Sequence, residues 1–411
     1  MRIDLIAGAR PNFMKIAPIA HALDSARGQG HTINCRIIHT GQHYDRNMSE
    51  QFFEQLRIPE PDVNLGAGGG TAAQQTSAIM TRYEELLMRE GLPALCVVVG
   101  DVTSTMACSI VAKKLGVRVA HVEGGIRSRD YTMPEEINRV VTDSITDYFF
   151  TTSEVANSNL AREGVSADRI FFVGNTMIDT LHANLDRLRK PAIWDRALSG
   201  VDGGSDVPGS TRVDGAGKGA RSAAASLQAG RYFVMTLHRP ANVDRDETLG
   251  RLLEHIARGT LGEPVIFPAH PRTRQILERL NLTWPHVHYV DPMGYLEFMY
   301  LVRHARAVIT DSGGITEETT VLGVPCLTLR DNTERPETVT LGTNELLGTN
   351  PEAIRPALQR LMAGSWKKGT IPDLWDGKAA DRIVQAIVKL ASEGGLDPHQ
   401  PFVDNDLLYT S

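Results

Sequence analysis

The chain has 411 residues, 42% of them apolar and 22% charged, enough for one large domain or two ordinary ones. Its formal net charge of −6 gives no electrostatic support for binding nucleic acid or an anionic membrane surface. No apolar run approaches the ~18–20 residues that span a bilayer, and with a strand expected from residue 3 no signal peptide is expected, so a soluble cytoplasmic protein is the default reading.

In chain order, residues 3–7 read as a strand, 15–26 as a helix and 35–39 as a second strand. Helical patterns follow around 48–56 and 76–89. Two short, β-branched apolar runs come next, 94–99 and 117–122, separated by a helix over 106–115; both read as buried parallel strands. Residues 148–151 and 170–173 are two more strands. This alternation predicts a doubly wound parallel sheet. Residues 198–223 are rich in Gly, Ser and Ala and predict a mobile loop or linker. A second alternating half then begins at 232–236, with strands at 265–267, 287–290, 307–310 and 325–329. Helices are expected at 247–259, 274–280, 295–304, 315–322, 352–362 and 379–392. The economical architecture is α/β, two Rossmann-like domains facing a central cleft. The expected boundaries are 1–182 for an N-terminal domain carrying an acid cluster, and 183–375 for a C-terminal domain with the flexible insertion near 198–223. A helix over 376–395 and a tail over 396–411 follow.

Four carboxylates, Asp101, Glu123, Glu135 and Glu136, stand at or near the ends of apolar runs. In open α/β sheets ligands sit beyond the carboxyl ends of the strands, so these acids point to chemistry. Gly8 to Lys15 offers a glycine turn and a helix start with Arg10 and Lys15 as cations, an anion-binding device that is weak alone. Asp311-Ser312-Gly313-Gly314 matches it in the second half: consecutive amides at a helix N-terminus can cradle a diphosphate, and Glu318 one turn on can accept from ribose hydroxyls. His238 and His270 end strands in that half and suit phosphate contact or proton transfer. Arg335 follows another strand and suits a phosphate or sugar clamp. Cationic and amide donors on one wall and carboxylates on the other fit a sugar nucleoside diphosphate. Cys35, Cys96, Cys108 and Cys326 are scattered and read as inert thiols; no metal cluster and no nicotinamide fingerprint is evident, so no cofactor and no metal is expected.

Taken in order, Gly8-x-Arg10-Pro11-x3-Lys15, Thr40-Gly41-Gln42-His43, Gly100-Asp101, His121-Val122-Glu123-x-Gly125-x-Arg127, Pro134-Glu135-Glu136-x-Asn138-Arg139, Gly174-Asn175-Thr176-x2-Asp179, His238-Arg239, Asp311-Ser312-Gly313-Gly314-x2-Glu317-Glu318 and Thr333-Glu334-Arg335-Pro336-Glu337 form a set. Over roughly residues 1–392 the chain resembles the non-hydrolysing UDP-N-acetylglucosamine 2-epimerases. The resemblance implies a glycosyltransferase-B-like fold, usually a homodimer, whose last helix packs back on the first domain. It implies interconversion of UDP-GlcNAc and UDP-ManNAc by elimination and re-addition of UDP through 2-acetamidoglucal. By motif match, Asp101, Glu123, Glu135 and His238 are the catalytic group. Asp101 and Glu135 would handle protons, Glu123 would stabilise a cation or act as second base, and His238 would neutralise or protonate the diphosphate. Arg10, Lys15, Ser312, Gly313, Gly314, Glu318 and Arg335 fall on UDP-binding positions, and Phe298 on the uracil pocket. Glu136, Asn138, Arg139, Arg127 and His121 are read evenly as site residues or as braces of the acid loop.

Some positions depart from the pattern. Gly124 and Ile126 replace the commoner alanine and leucine, and Met293 stands where many members carry glutamine. Where bacterial members bind a second UDP-GlcNAc as activator, this chain reads Gln42-His43-Tyr44-Asp45 and Gly66-Ala67-Gly68-Gly69-Gly70 without an arginine, which leaves activation open. Alternatives are a hydrolysing 2-epimerase, a 2-epimerase for a related UDP-2-acetamido sugar, a glycosyltransferase-B-type transferase, and a non-catalytic sensor.

Overall fold

A computed structural model describes residues 1–41, 55–196, 226–269, 271–280 and 283–397, with the side chains of 10, 11, 240, 271 and 272 set aside. The expected helix at 48–56 falls largely outside these residues, and the insertion at 198–223, the tail beyond 397 and His270 fall wholly outside them. The chain forms two compact units. The first takes Met1–Arg187, Thr333–Leu341 and the chain from Ile371 on; the second takes Leu188–Asn332 and Gly342–Thr370.

The first unit is built on a seven-stranded sheet of β1 (Arg2–Ala7), β2 (Asn34–His39), β3 (Val63–Asn64), β4 (Leu95–Val99), β5 (Arg118–Val122), β6 (Tyr148–Thr151) and β7 (Ile170–Phe172), in the order β3-β2-β1-β4-β5-β6-β7. Every pairing is parallel. All five residues of β4 and of β5 are buried, which is why both read as unbroken apolar runs rather than alternating ones. Helix Ala72–Glu90 starts on a capping box: Thr71 Oγ1 accepts from Gln74 N at 3.3 Å while Gln74 Oε1 accepts from Thr71 N at 2.9 Å. The last helix, Ala379–Ser392, packs on helices Arg10–Gly28 and Thr176–Asn184. Its first amides, Ala379 and Ala380, donate to the buried Asp179 carboxylate at 3.0 and 2.6 Å. Trp375, fully buried just before it, donates from its indole to Thr152 O at 2.9 Å.

The second unit has six parallel strands, β8 (Phe233–Thr236), β9 (Val265–Pro268), β10 (Val287–Val290), β11 (Ala307–Thr310), β12 (Cys326–Thr328) and β13 (Asn344–Leu346), ordered β10-β9-β8-β11-β12-β13. Its core packs Phe233, Met235, Val265, Phe267 and Ile309 of the sheet against Leu249, Leu252, Leu253 and Ile256 of helix Asp246–Gly259. These are two Rossmann-like α/β units. In each the order reverses between adjacent strands, β1/β4 in the first and β8/β11 in the second, the position beyond whose carboxyl ends open α/β sheets bind their ligands. Cys96, Cys108 and Cys326 are buried, and burial pushes the Cys96 and Cys326 thiols up to about 12, so neither is a nucleophile at neutral pH. No helix among the described residues is long and apolar enough to cross a membrane.

Candidate active site

The acids of the first unit lie at the carboxyl ends of β4 and β5. Gly8, leaving β1, has no space for a side chain: a Cβ there would stand 2.7 Å from Ser104 Oγ and 2.8 Å from Val102 Cγ2. Asn12 seals this turn, accepting from Gly8 N at 3.2 Å and donating to Val99 O at 3.0 Å, so the loops after β1 and β4 are tied together. Gly100, at φ +69°, then turns the chain so that Asp101 sits half-buried before helix Thr103–Lys114.

Glu123 follows β5 with a φ of +70°, a left-handed conformation that costs a non-glycine residue energy and marks a position held by its surroundings. Its side chain is buried. Oε2 receives Lys15 Nζ at 2.6 Å and Arg335 Nη2 at 2.9 Å; Oε1 is buried with no hydrogen-bond partner among the described residues. Burial pushes this carboxyl up, but the two cations outweigh it and hold it at about 2. Lys15 and Arg335, expected at a diphosphate, are thus engaged by an acid of their own unit. Thr333–Leu341 packs with the first unit although it follows a strand of the second, and the Arg335–Glu123 pair joins it there.

Asp101 pairs with Arg139, whose Nη1 also donates to Glu136 at 2.9 Å. Asn138 Nδ2 donates to Asp101 O at 2.8 Å. Glu136 is buried and accepts from Ser128 N, Ser128 Oγ and Arg129 N at 2.9, 3.0 and 2.9 Å, so it holds a loop in place. Glu135, its neighbour, is exposed. The segment read as an acid loop is the first turn of helix Pro134–Ile145, with Pro134 at its first position and both acids where the helix dipole favours them.

Asp143, which sequence reasoning passed over, stands two turns further on this helix. It accepts from His121 Nδ1 at 2.6 Å, Arg127 Nη1 at 2.6 Å and Gly125 N at 3.0 Å. His121 Nε2 meets Gly100 O at 2.7 Å, so both ring nitrogens are engaged, one by the carboxylate and one by the carbonyl. The ring ties the residue before Asp101 to the helix that carries Glu135. The 3- and 4-residue spacing of Glu136, Arg139 and Asp143 was the available signal, one helix face turned inward. The Gly124 departure has a physical counterpart here: a Cβ at Gly124 would lie 2.8 Å from Cδ1 of the fully buried Phe149. Gly124→Ala is expected to lower stability by about 1–3 kcal/mol through overpacking, read from the midpoint of urea unfolding; an unchanged midpoint would show that Phe149 yields freely.

In the second unit, Asp311 follows β11 and Ser312 is the N-cap residue of helix Gly313–Leu322, with Ser312, Gly313 and Gly314 half-buried at its N-terminus. Glu318, one turn in, is buried and accepts from Tyr295 Oη at 2.8 Å. Burial pushes Glu318 up to about 8, against the Tyr295 bond and aided by Glu317, so at neutral pH it is mostly protonated and can both donate and accept. His238, exposed after β8, reaches Asp311 Oδ1 through Nδ1 at 2.9 Å. Phe298 and Met293 are half-buried in and just before helix Tyr295–His304. Arg10 is the first residue of helix Arg10–Gly28. Among the described residues no group of His, Cys, Asp and Glu could hold a metal ion.

Two doubly wound parallel units, one offering an acid cluster and the other a glycine-rich helix start, define an α/β protein of glycosyltransferase-B-like fold. A family model described as UDP-N-acetylglucosamine 2-epimerase matches residues 26–388. A UDP-N-acetylglucosamine 2-epimerase of Methanocaldococcus jannaschii is 39% identical over 396 residues, covering 94% of this chain and 99% of the relative. A UDP-2,3-diacetamido-2,3-dideoxy-D-glucuronate 2-epimerase of Pseudomonas aeruginosa is 36% identical over 397 residues, covering 95% and 100%. The crystal structure of the M. jannaschii UDP-GlcNAc 2-epimerase in complex with UDP-GlcNAc and UDP superposes with a TM-score of 0.77 at 38% identity, over 95% of this chain and 100% of that one. The chain belongs to the UDP-N-acetylglucosamine 2-epimerase family.

Proposed function

We propose that the protein interconverts UDP-N-acetylglucosamine and UDP-N-acetylmannosamine by inverting C2. The observation that carries this reading is the acid cluster after β4 and β5, Asp101 paired with Arg139 and Glu123 with Lys15 and Arg335, in a chain of this family. The C2 hydrogen is not next to a carbonyl, so its removal must be helped by departure of the group at C1. The C1–O bond breaks first, its electron pair leaving with the UDP oxygen, and positive charge builds at C1 and the ring oxygen. Glu123, held ionised by its two cations, stabilises that charge and is too weak a base to carry the proton. Asp101 or Glu135 takes the C2 proton, the C1=C2 bond forms, and 2-acetamidoglucal results. Return of a proton to the opposite face of C2 and of the UDP oxygen to C1 completes the inversion.

The Gly313 and Gly314 amides take the diphosphate, His238 meets its charge, and Glu318 bonds the ribose hydroxyls. We further read the protein as a homodimer working in the cytoplasm. The test is incubation with UDP-GlcNAc in deuterated water, followed by proton NMR. Two nucleotide sugars are expected, each with deuterium at C2. Free reducing sugar and UDP would make the enzyme a hydrolysing one, and inversion with no label would remove the proton-transfer step. The Pseudomonas relative supports a second reading, a UDP-2,3-diacetamido-glucuronate as substrate. Comparing kcat/KM for the two sugars decides between them.

A further inference from the structure

His238 and Asp311 leave the two adjacent strands, β8 and β11, at which the second sheet reverses its order. Asp311 is fully buried, whereas the His238 side chain is 60% exposed. The carboxylate is fixed from several directions: Oδ1 and Oδ2 each accept from His238 N at 3.1 Å, and Oδ2 accepts from Arg239 N at 2.9 Å and from Asn242 Nδ2 at 3.0 Å. Its own backbone is tied too, with Asp311 N donating to Thr236 O at 3.3 Å and Arg239 Nε donating to Asp311 O at 3.2 Å. What remains for Oδ1 is His238 Nδ1, at 2.9 Å.

We propose that Asp311 is a positioning residue for His238, locking the ring in the form that carries hydrogen on Nδ1 and presenting Nε2 outward as its working atom. The proposal rests on the function given above. An ionised carboxylate has no hydrogen to give, so Nδ1 must donate. The braces on Asp311 prevent it from following a rotating ring, so losing this bond is the only way for His238 to turn. An exposed ring without such a partner would sample both nitrogen tautomers and several rotamers. With Nδ1 occupied, Nε2 faces solvent, where a protonated ring donates to a diphosphate oxygen and a neutral one accepts. The proton moves between Nε2 and the diphosphate oxygen, and Asp311 stays ionised throughout.

The test labels histidine with ¹⁵N and reads the ring nitrogens of His238, assigned by the signals lost in His238→Asn. In the unmodified protein Nδ1 should be the protonated nitrogen of the neutral ring. A ring found as the Nε2–H tautomer would overturn the proposal, whether or not any variant folds. Asp311→Asn, checked for folding by circular dichroism, should shift the ring toward Nε2–H, because an amide N–H now faces Nδ1. It should lower kcat about 100-fold or more with KM changed only a few-fold. An unchanged tautomer and an unchanged kcat would overturn the proposal too. The NMR readout needs no turnover, so a failure of the epimerase reading and a failure of the His238–Asp311 pairing give different results.

Discussion

Asp101→Asn should abolish C2 exchange, with turnover falling by about 10³-fold or more, while UDP binds as before. The amide cannot take a proton from carbon, yet it can still accept from Arg139, and the Asn138 bond goes to the Asp101 backbone, which the substitution does not touch. The fold should therefore survive. Loss of chemistry with retained binding is the signature of an interaction made at the reacting carbon and not in the ground state. Calorimetry with UDP and NMR exchange in deuterated water check the two halves of the expectation. Residual exchange within ten-fold of the parent protein would hand the proton to another group. Glu135→Gln is the natural companion, since Glu135 is exposed and its replacement should leave stability unchanged.

Glu123→Gln is expected to be costly in a different way. Lys15 and Arg335 converge on one buried oxygen, and a neutral amide leaves two cations close together with no counter-charge. Removing one member of a buried ion group costs about 3–5 kcal/mol, so the midpoint of unfolding at pH 7 should fall clearly. The pH dependence gives the sharper check. Glu123 titrates at about 2 in the folded protein against an ordinary 4.5, so its stabilisation is complete above pH 4.5 and is lost as pH falls through about 2. The gap in stability between parent and variant should therefore narrow steadily over that window. A gap that is the same at both ends would mean that the ion pairs contribute nothing and the loss is one of packing.

The strands were legible because a parallel strand buried on both faces is a continuous apolar run, and 94–99 and 117–122 could hardly read otherwise. Helix Pro134–Ile145 was not, because a proline followed by two acids imitates a loop when the inward spacing of Glu136, Arg139 and Asp143 is not followed to its end. The two-residue β3 and the three-residue β13 carry too little pattern to be found. The cluster of acids was visible from strand ends and motif order. What those acids touch was not: Arg335 and Glu123 stand 212 positions apart, and no local spacing records a pairing of that kind. Nor does the sequence distinguish the buried Glu136, spent on two loop amides, from the exposed Glu135 beside it.

The cap on the last helix has a consequence for how the protein is made. Asp179 finds its amide partners 200 and 201 residues later, and Gly174 lies so close to Leu374 that a Cβ there would stand 2.1 Å from its carbonyl oxygen. A nascent chain that has emerged only as far as β7 therefore holds a seven-stranded sheet whose final helix, and the counterparts of a buried carboxylate, are still to be synthesised. The earlier half must wait, partly assembled, until the whole intervening unit has left the ribosome. A product truncated before residue 379 should be a client of chaperones and proteases, not a free-standing fragment.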